Sequence, residues 1–353
     1  MQYYLLGRSG LRVSEVCLGT MTFGEEFGWG ANKDDSKKVY DAFREAGGNF
    51  IDTANIYTVG TSERFLGDFM QGHRESVVLA TKYTNTVTTG DPNAGGNHRK
   101  SMFQSVEASL KRLKTDFIDL YWLHIWDQIT PVEEVARAFD DLVRQGKVLY
   151  VGVSDAPAWW VAQFNTIADL RGWSKFIAIQ VEYSLTERTS ERELFPMSKA
   201  LGLGVTAWSP LAGGVLTGKY QKAASKGGDQ EGDSQQGGRF AEKAMRQFIP
   251  EEKLTERILA ALGTVSGQVG KSVAQVALAW MKYRSQPVIP IIGARTVSQL
   301  KENMGCIELK LNAEQVRLLD EASAIALGFP YDFYKKDRVV QIVYGGMRER
   351  ILG

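Results

Sequence analysis

The stretch that decides the fold is residues 49–70, which read Asn-Phe-Ile-Asp-Thr-Ala-Asn-Ile-Tyr-Thr-Val-Gly-Thr-Ser-Glu-Arg-Phe-Leu-Gly-Asp-Phe-Met. A short apolar run predicts a strand that ends at Asp52, and the loop after this strand carries Tyr57. Ser62 is a common helix-capping residue and Glu63 is an acid of the first turn, so the two predict a helix that begins at Ser62. A carboxylate and a phenol thus stand where a strand gives way to a loop, a position from which a rigid scaffold can present polar groups to a pocket.

The same order of strand and helix recurs along the chain. Apolar runs predict eight strands, at residues 16–20, 49–52, 77–82, 118–124, 148–153, 176–182, 204–208 and 288–292. Helical periodicity predicts helices at residues 34–46, 62–70, 99–113, 131–145, 156–170, 191–200, 251–262, 272–283 and 296–304. Eight strands, each followed by a crossover helix, are typical of a parallel sheet. The sequence therefore predicts an α/β fold, a (β/α)8 TIM barrel with extra helices.

A doubly wound open sheet is the competing architecture. It usually carries a GxGxxG turn directly after its first strand. Here that turn reads Gly19-Thr20-Met21-Thr22-Phe23-Gly24, with a different spacing. We therefore expect a single barrel domain over residues 1–353, with a β-hairpin at 1–15 and a C-terminal tail at 326–353. The Gly- and Ser-rich segment at 220–240 is expected to be a mobile loop, either a solvated linker or a lid over a ligand.

The composition excludes several classes of protein. The 353 residues carry 42 Lys and Arg against 41 Asp and Glu, a formal net charge of +1, so we expect no partnership with nucleic acid or anionic membrane. Cys17 and Cys306 are too few for a disulfide framework, and no metal site is indicated. The sequence opens without a signal peptide, and no apolar run approaches the roughly 20 residues that span a bilayer. The expected location is the cytoplasm.

Polar residues just past the strand ends are the candidate site residues, because the pocket of a β/α barrel lies at the carboxyl ends of its strands. Asp52 ends the second barrel strand and Tyr57 lies in the loop after it. Lys82 ends the third strand and His124 ends the fourth. Each also has an ordinary structural interpretation: a turn aspartate, a rim tyrosine, a solvated lysine or a core histidine.

Together the four side chains make one mechanism. A phenol ionises near pH 10, so it is a sluggish acid at neutral pH unless a nearby ammonium favours its phenolate. Lys82 supplies that ammonium, and Asp52 is the partner that keeps a buried lysine charged. His124 can hydrogen-bond a substrate oxygen and orient a carbonyl. Tyr57 is therefore the predicted general acid and base.

These residues resemble the catalytic tetrad of the aldo-keto reductase family. Their contexts are Asp-Thr-Ala-Asn-Ile-Tyr at 52–57 and Tyr-Trp-Leu-His at 121–124, and the resemblance runs from the Gly-Arg-Ser-Gly-Leu-Arg-Val-Ser hairpin at 7–14 to about residue 325. The chain is similar both to bacterial aldo-keto reductases and to potassium-channel beta subunits. The resemblance implies a (β/α)8 barrel that binds NADP(H) without a Rossmann motif.

The resemblance also implies which residues bind the nicotinamide and pyrophosphate. Ser154, Asp155 and Gln180 match the group that holds the carboxamide, although the family more often has Asn at position 155. Trp208 matches the aromatic residue on which the nicotinamide ring stacks, and Asp52 and the turn Gly19-Thr20-Met21 also match cofactor positions. The pyrophosphate loop would be Ser209-Pro210-Leu211-Ala212-Gly213-Gly214-Val215-Leu216-Thr217-Gly218-Lys219, where glycine exposes backbone N–H groups.

A polar segment near the end of the barrel resembles the family's site for the adenosine 2′-phosphate and adenine. Arg295, Gln299 and Asn303 recur at four-residue spacing, so they are predicted to form one face of a helix entered at its N-terminus. A solvated polar helix face is the ordinary interpretation. Because an arginine forms charge-assisted bonds to phosphate, NADPH is expected to be preferred over NADH. The expected adenosine-side residues are Arg239, Gly293, Arg295, Gln299, Glu302 and Asn303.

The expected activity is reversible hydride transfer between NADP(H) and a small carbonyl or alcohol substrate. An aromatic rim would suit an apolar or cyclic carbonyl, or would simply pack the loops; it consists of Phe23, Phe27, Trp29, Trp126, Tyr331, Phe333 and Tyr334. The expected substrate contacts are Phe23, Trp29, Tyr57, His124 and Trp126. Two alternatives stay open, a Schiff-base aldolase that uses Lys82 and a non-catalytic NADPH-sensing subunit. An oligomer is also left open.

Overall fold

A computed structural model of the chain describes residues 1–218 and 250–351. The strands in this part of the chain are β1 Tyr3–Leu5, β2 Arg12–Ser14, β3 Cys17–Gly19, β4 Phe50–Asp52, β5 Val78–Tyr83, β6 Ile118–Leu123, β7 Val148–Ser154, β8 Phe176–Glu182, β9 Gly204–Trp208 and β10 Val288–Gly293. β1 and β2 form an antiparallel hairpin. β3 to β10 close in chain order into one parallel barrel, in which β10 pairs with β3. The predicted barrel and hairpin are confirmed.

Helices surround the barrel. Those among the described residues are α1 Lys33–Glu45, α2 Thr61–Phe69, α3 Arg99–Leu113, α4 Val132–Arg144, α5 Ala158–Arg171, α6 Leu194–Leu201, α7 Glu252–Val269, α8 Val273–Trp280, α9 Val297–Met304, α10 Ala313–Ala322, α11 Tyr331–Tyr334 and α12 Asp337–Tyr344. The predicted end of α7 at residue 262 is wrong. Gly263 lies within the helix with open space around it, whereas Gly270, with φ +63°, provides the left-handed conformation that ends it.

The barrel interior is apolar at the end where the strands begin. Leu6 and Val13 of the hairpin pack with Cys17, Phe50 and Trp122 of the barrel, and all five are fully buried. Burying each such large apolar side chain stabilises the fold by roughly 1.5–3 kcal/mol. The hairpin therefore closes this end of the barrel and leaves the opposite, carboxyl end for polar side chains.

Side-chain alternation brings polar groups into the same interior. Phe50 and Ala80 belong to the apolar cluster inside the barrel. Two residues further along each strand, and hence on the same face, come Asp52 and Lys82. In the parallel register Asp52 lies beside Ala80. Adjacent strands therefore deliver a carboxylate and an ammonium to neighbouring positions at the carboxyl end of the barrel.

The start of α2 differs from the sequence prediction. The helix begins at Thr61, and Gly60, with φ +83°, occupies the N-cap position. Ser62 does not cap the helix: its hydroxyl donates to the backbone oxygen of Thr20 at 2.8 Å and lies 2.9 Å from the Thr53 hydroxyl. Ser62 thus joins the loop after β4 to the turn after β3, a tertiary role that residue type alone does not reveal.

The sequence predicts no segment that spans a bilayer, and the length and hydropathy of the helices test this prediction. Within the two described ranges, none of the helices has both the length and the apolar character needed to cross a bilayer. Cys17 and Cys306 are buried free thiols, as predicted.

Candidate active site

Lys82 lies at the centre of the polar cluster at the carboxyl end of the barrel. Its ammonium contacts the Asp52 carboxylate, donates to the backbone oxygen of Thr53 at 2.8 Å and donates to the Tyr57 hydroxyl at 3.1 Å. Lys82 is 0% exposed and Asp52 is 2% exposed. Burial by itself lowers the pKa of Lys82, but Asp52 and Tyr57 outweigh burial and raise the pKa above its ordinary value. The lysine therefore stays charged at neutral pH.

Tyr57 is held by a turn with an uncommon backbone. The turn Tyr57–Gly60 contains Thr58 and Val59, whose φ angles of +46° and +54° lie in the left-handed region. Such conformations cost a β-branched residue on the order of 1–3 kcal/mol each. The Thr58 hydroxyl donates to the backbone oxygen of Phe23 at 2.6 Å, which ties the turn to the loop after β3. The phenol is thereby fixed against Lys82, whose ammonium lies 4.7 Å from the ring centroid.

His124 follows β6 and faces Tyr57 across the site. The two rings meet edge to face with centroids 6.0 Å apart. Burial first, and the Lys82 charge second, place the pKa of His124 well below 6.5, so the imidazole is neutral at neutral pH.

Asn85, a residue that the sequence reasoning missed, decides which imidazole nitrogen carries the proton. The side-chain amide nitrogen of Asn85 lies 3.2 Å from His124 Nδ1. Its backbone oxygen accepts from the Asn55 amide at 2.9 Å. Since an amide N–H can only donate, Nδ1 must accept and the proton resides on Nε2. The available signal was position: Asn85 lies two residues past the end of β5, close to Lys82.

The residues expected to hold the nicotinamide are brought to the same end of the barrel. Ser154 ends β7 and is paired with Gln180 of β8 in the parallel register. Gln180 also contacts the central cluster, because its amide nitrogen donates to Asp52 Oδ2 at 3.0 Å. Trp208 ends β9, and its indole N–H donates to Asp155 Oδ1 at 3.0 Å. Neither of these two hydrogen bonds was predicted from the sequence.

The turn after β3 completes this end of the barrel. Gly19 is paired with Asp52 on one side and with Gly293 on the other. A Cβ at position 19 would lie 2.6 Å from the Ile291 side chain, so any larger residue would force that side chain to shift. The Thr20 backbone N–H donates to the Asp52 backbone oxygen at 2.9 Å, and Met21, next along the chain, is half-buried.

The loop after β9 has an uncommon backbone, with four residues in the left-handed region. Ser209, Ala212, Gly213 and Gly214 have φ angles of +49°, +48°, +63° and +96°. The Ala212 backbone N–H donates to the Ser209 oxygen at 2.8 Å and the Gly214 backbone N–H donates to the Leu211 oxygen at 2.9 Å, so these two groups are used within the loop. In the same loop Pro210 is buried and Leu211 is half-buried. Lys219, Arg239 and the segment 220–240 lie outside the described residues.

The prediction of one helix face for Arg295, Gln299 and Asn303 is wrong in part. The helix α9 begins at Val297 with Thr296 as its N-cap, so Arg295 precedes it. Gln299 nevertheless reaches back, and its Oε1 accepts the Arg295 backbone N–H at 2.9 Å.

The other residues of this segment point in different directions. Asn303 is buried and donates to the backbone oxygen of Gly293 at 3.3 Å. Glu302 is exposed. Gln299 and Glu302 are therefore accessible, Arg295 is half-buried, and Asn303 fixes α9 against β10.

The aromatic residues expected at the substrate pocket divide into two groups. Phe23 is 0% exposed, and its ring packs edge to face on Phe69 at 6.3 Å. Trp29 is also buried, and its backbone oxygen accepts from Arg295 at 3.4 Å. Trp126 is half-buried in the loop after β6, and its ring lies 5.5 Å from that of the exposed Trp159.

The fold and this cluster define a β/α-barrel enzyme whose polar groups lie at the carboxyl ends of the strands. Residues 15–324 match the family model described as Aldo/keto reductase family. Norsolorinic acid reductase of Aspergillus flavus is 38% identical over 341 residues, which cover 93% of this chain and 82% of that protein. Aryl-alcohol dehydrogenase [NADP(+)] of Phanerodontia chrysosporium is 37% identical over 340 residues, with 91% and 86% covered.

A bacterial relative is similar to the same extent. The uncharacterized oxidoreductase YrpG of Bacillus subtilis is 39% identical over 333 residues, which cover 91% of this chain and 95% of that protein. The chain belongs to the aldo/keto reductase family and is an oxidoreductase. The resemblance predicted from the tetrad motifs is confirmed.

Proposed function

We propose that this protein catalyses reversible hydride transfer between NADP(H) and a small carbonyl or alcohol substrate, with Tyr57 moving the proton on the substrate oxygen. The contact of the buried Lys82 ammonium with both the Asp52 carboxylate and the Tyr57 hydroxyl carries the proposal. A nearby ammonium favours the ionised form of a phenol. The contact with Lys82 therefore favours the Tyr57 phenolate.

The proposed mechanism assigns one task to each side chain. The bound nicotinamide supplies or accepts the hydride. In the reductive direction Tyr57 gives its proton to the substrate oxygen, and Lys82 stabilises the phenolate that remains. Asp52 keeps Lys82 charged. The neutral His124 donates from Nε2–H to the same oxygen and orients it toward Tyr57.

The contacts of Lys82 do not favour the aldolase alternative. A Schiff base needs an unprotonated amine with room for a carbonyl carbon. The ammonium instead meets three acceptors, those of Asp52, Thr53 and Tyr57, and has a raised pKa. A lysine used in this way is suited to electrostatic support and not to nucleophilic attack.

The residues present fit an NADP(H) cofactor. The glycine-containing loop at 209–214 would lie at the pyrophosphate, and Trp208, Ser154 and Asp155 would receive the nicotinamide. Arg295 and Gln299 would hold the 2′-phosphate end. Aldo/keto reductases generally use NAD(P)H, and the name of the Phanerodontia chrysosporium relative specifies NADP(+).

We expect Arg295→Ala to raise the Kd for NADPH by about 10- to 100-fold, because it removes a charge-assisted bond worth about 1.5–3 kcal/mol. The Kd for NADH, which lacks the 2′-phosphate, should change less than about twofold. Fluorescence titration measures both constants. Lys301→Ala, which removes an exposed cation of α9, the helix that follows Arg295, is the matched control. An equal rise for both cofactors would place the 2′-phosphate elsewhere.

We expect Asn85→Asp to lower kcat/KM about tenfold at pH 8, which corresponds to one lost hydrogen bond. A carboxylate cannot donate to Nδ1, so it moves the His124 proton from Nε2 to Nδ1. It also raises the pKa of His124 from its lowered value. Activity should therefore recover as the pH falls and the second ring nitrogen is protonated.

The pH profile of kcat/KM measures this effect. Asn93→Asp, a substitution of an exposed asparagine in the same loop, is the control. A uniform loss at every pH would mean that Asn85 only supports the loop and does not set the tautomer.

We further propose an aryl carbonyl or aryl alcohol as the substrate class. The half-buried Trp126 and the exposed Trp159 offer flat apolar surface beside Asp155, whose backbone oxygen accepts the backbone N–H of Trp126 at 3.3 Å. The relative from Phanerodontia chrysosporium is named for aryl alcohols.

A screen of NADPH oxidation over aryl, aliphatic and sugar aldehydes, run beside NADP+ reduction over the matching alcohols, tests this function. We expect the aryl compounds to give the highest kcat/KM. Tight NADPH binding without turnover on any carbonyl would instead support the cofactor-sensing alternative.

A further inference from the structure

Asp155 is the residue at which this chain departs from the family's usual asparagine, and it joins three parts of the cleft. It directly follows β7 with φ +45°, a left-handed conformation that Asp tolerates better than most residues. Its carboxylate accepts the Trp208 indole N–H at 3.0 Å, and its backbone oxygen accepts the backbone N–H of Trp126 at 3.3 Å. Its own backbone N–H donates to the Gln180 oxygen at 3.4 Å.

We propose that Asp155 is a positioning residue that fixes the Trp208 indole and thereby makes cofactor affinity depend on the ionisation of a single carboxylate. The inference rests on the proposed function, in which the nicotinamide stacks on Trp208. An asparagine offers one acceptor oxygen, whereas an ionised carboxylate offers two oxygens and about four acceptor positions. Asp155 can hold Trp208 and still accept an N–H of the nicotinamide carboxamide.

The surroundings of Asp155 set the pH range in which its ionisation changes cofactor affinity. Asp155 is exposed to the cleft, and the protein atoms that line the cleft around its carboxylate raise the pKa to about 6. Trp208, Ser154 and the Lys82 ammonium act in the opposite direction. Lys82 is the cation that faces it, while Gln180 and Trp126, on the neighbouring elements, are neutral.

Cofactor affinity should change with pH in one direction, because the groups that meet the Asp155 carboxylate are hydrogen-bond donors. A cofactor that brings an N–H to the carboxylate binds the ionised form better, so binding lowers the pKa of Asp155. Affinity is therefore full above the free-protein pKa of about 6 and declines as the pH falls below it. Between pH 7.5 and 5.5 the Kd should rise about three- to fourfold.

Binding of NAD+ and NADP+ to the wild-type protein at pH 5.5 to 8 tests the proposal by calorimetry, without any turnover. NAD+ carries no 2′-phosphate, which could itself change its ionisation in this pH range. The pH dependence of NAD+ binding therefore reports on the Asp155 carboxylate. We expect Asp155→Asn to abolish the three- to fourfold change. Trp208→Phe keeps an aromatic face but removes the indole donor, so it should move the midpoint to higher pH.

A merely structural Asp155 would weaken binding equally at every pH in these variants. Unchanged pH dependence in Asp155→Asn, or an unchanged midpoint in Trp208→Phe, would overturn the proposal while leaving the proposed function intact. Failure of the wild-type protein to bind either nucleotide at any pH would overturn both. The tryptophan fluorescence of the free protein gives an independent readout, since the part lost in Trp208→Phe should titrate near pH 6.

Discussion

Replacing Tyr57 with phenylalanine should lower kcat by about 10²- to 10⁴-fold, the usual contribution of a general acid or base. The substitution removes one oxygen atom and with it the group that donates to the substrate. The ring remains, so its packing against His124 at 6.0 Å is kept. The Kd for NADP+ should stay within about twofold of wild type, because no cofactor-side contact is lost.

Steady-state kinetics and nucleotide titration on the same protein sample measure the two effects. Tyr3→Phe is the matched control: it removes a phenol hydroxyl, one that donates to the Gly47 oxygen at 2.8 Å at the hairpin end of the barrel. That variant should keep wild-type kcat. A Tyr57→Phe protein that retains most of its turnover would show that another group moves the proton.

Replacing Lys82 with methionine should have the largest combined effect on activity and stability. Asp52 is 2% exposed, and the substitution leaves its carboxylate without the ammonium partner. Breaking a buried ion pair in this way typically costs 3–5 kcal/mol, so we expect a loss of about that size in the free energy of unfolding. Turnover should also fall, because the substitution removes the ammonium that stabilises the Tyr57 phenolate.

The double variant Asp52→Asn with Lys82→Met separates the two roles. It removes both charges, so much of the lost stability should return, while turnover should stay low. Urea unfolding and kcat measure the two quantities. Wild-type stability of the single Lys82→Met variant would contradict the buried ion pair, and near-wild-type turnover of the double variant would contradict the role of Lys82.

The contribution of the Lys82–Asp52 ion pair to stability depends on pH. The raised pKa of Lys82 means that its contribution to stability is complete below the pKa of an unfolded lysine, about 10.4. That contribution is lost as the pH rises through the higher folded-state pKa. We therefore expect the cluster to weaken only in strongly alkaline solution.

The barrel and the four central residues could be predicted because both depend on local pattern. Apolar runs and helical periods give the eight units, and the pocket of such a barrel lies at the strand ends. Asp52, Lys82 and His124 stand at those ends at inward-facing positions, so the sequence brings them together once the strand order is known. In the structure Lys82 contacts Asp52 and Tyr57, and the His124 ring meets the Tyr57 ring edge to face.

What could not be predicted depends on side-chain direction. The Gln180 bond to Asp52 and the Asn85 bond to His124 cross between strands, and no spacing in the chain encodes them. Phe23 follows β3 at the correct end of the barrel, yet its ring turns into the core against Phe69. Periodicity likewise cannot show that α9 begins after Arg295.

The fate of a deuterium label at C4 of NADPH tests the central claim most directly. The wild-type protein is given each of the two C4-deuterated diastereomers together with an aryl aldehyde that it reduces, and the alcohol is examined by mass spectrometry. We predict one deuterium on the carbinol carbon from one diastereomer only, and none in the same time with Tyr57→Phe. Alcohol that carries no deuterium from either diastereomer would contradict hydride transfer from NADPH.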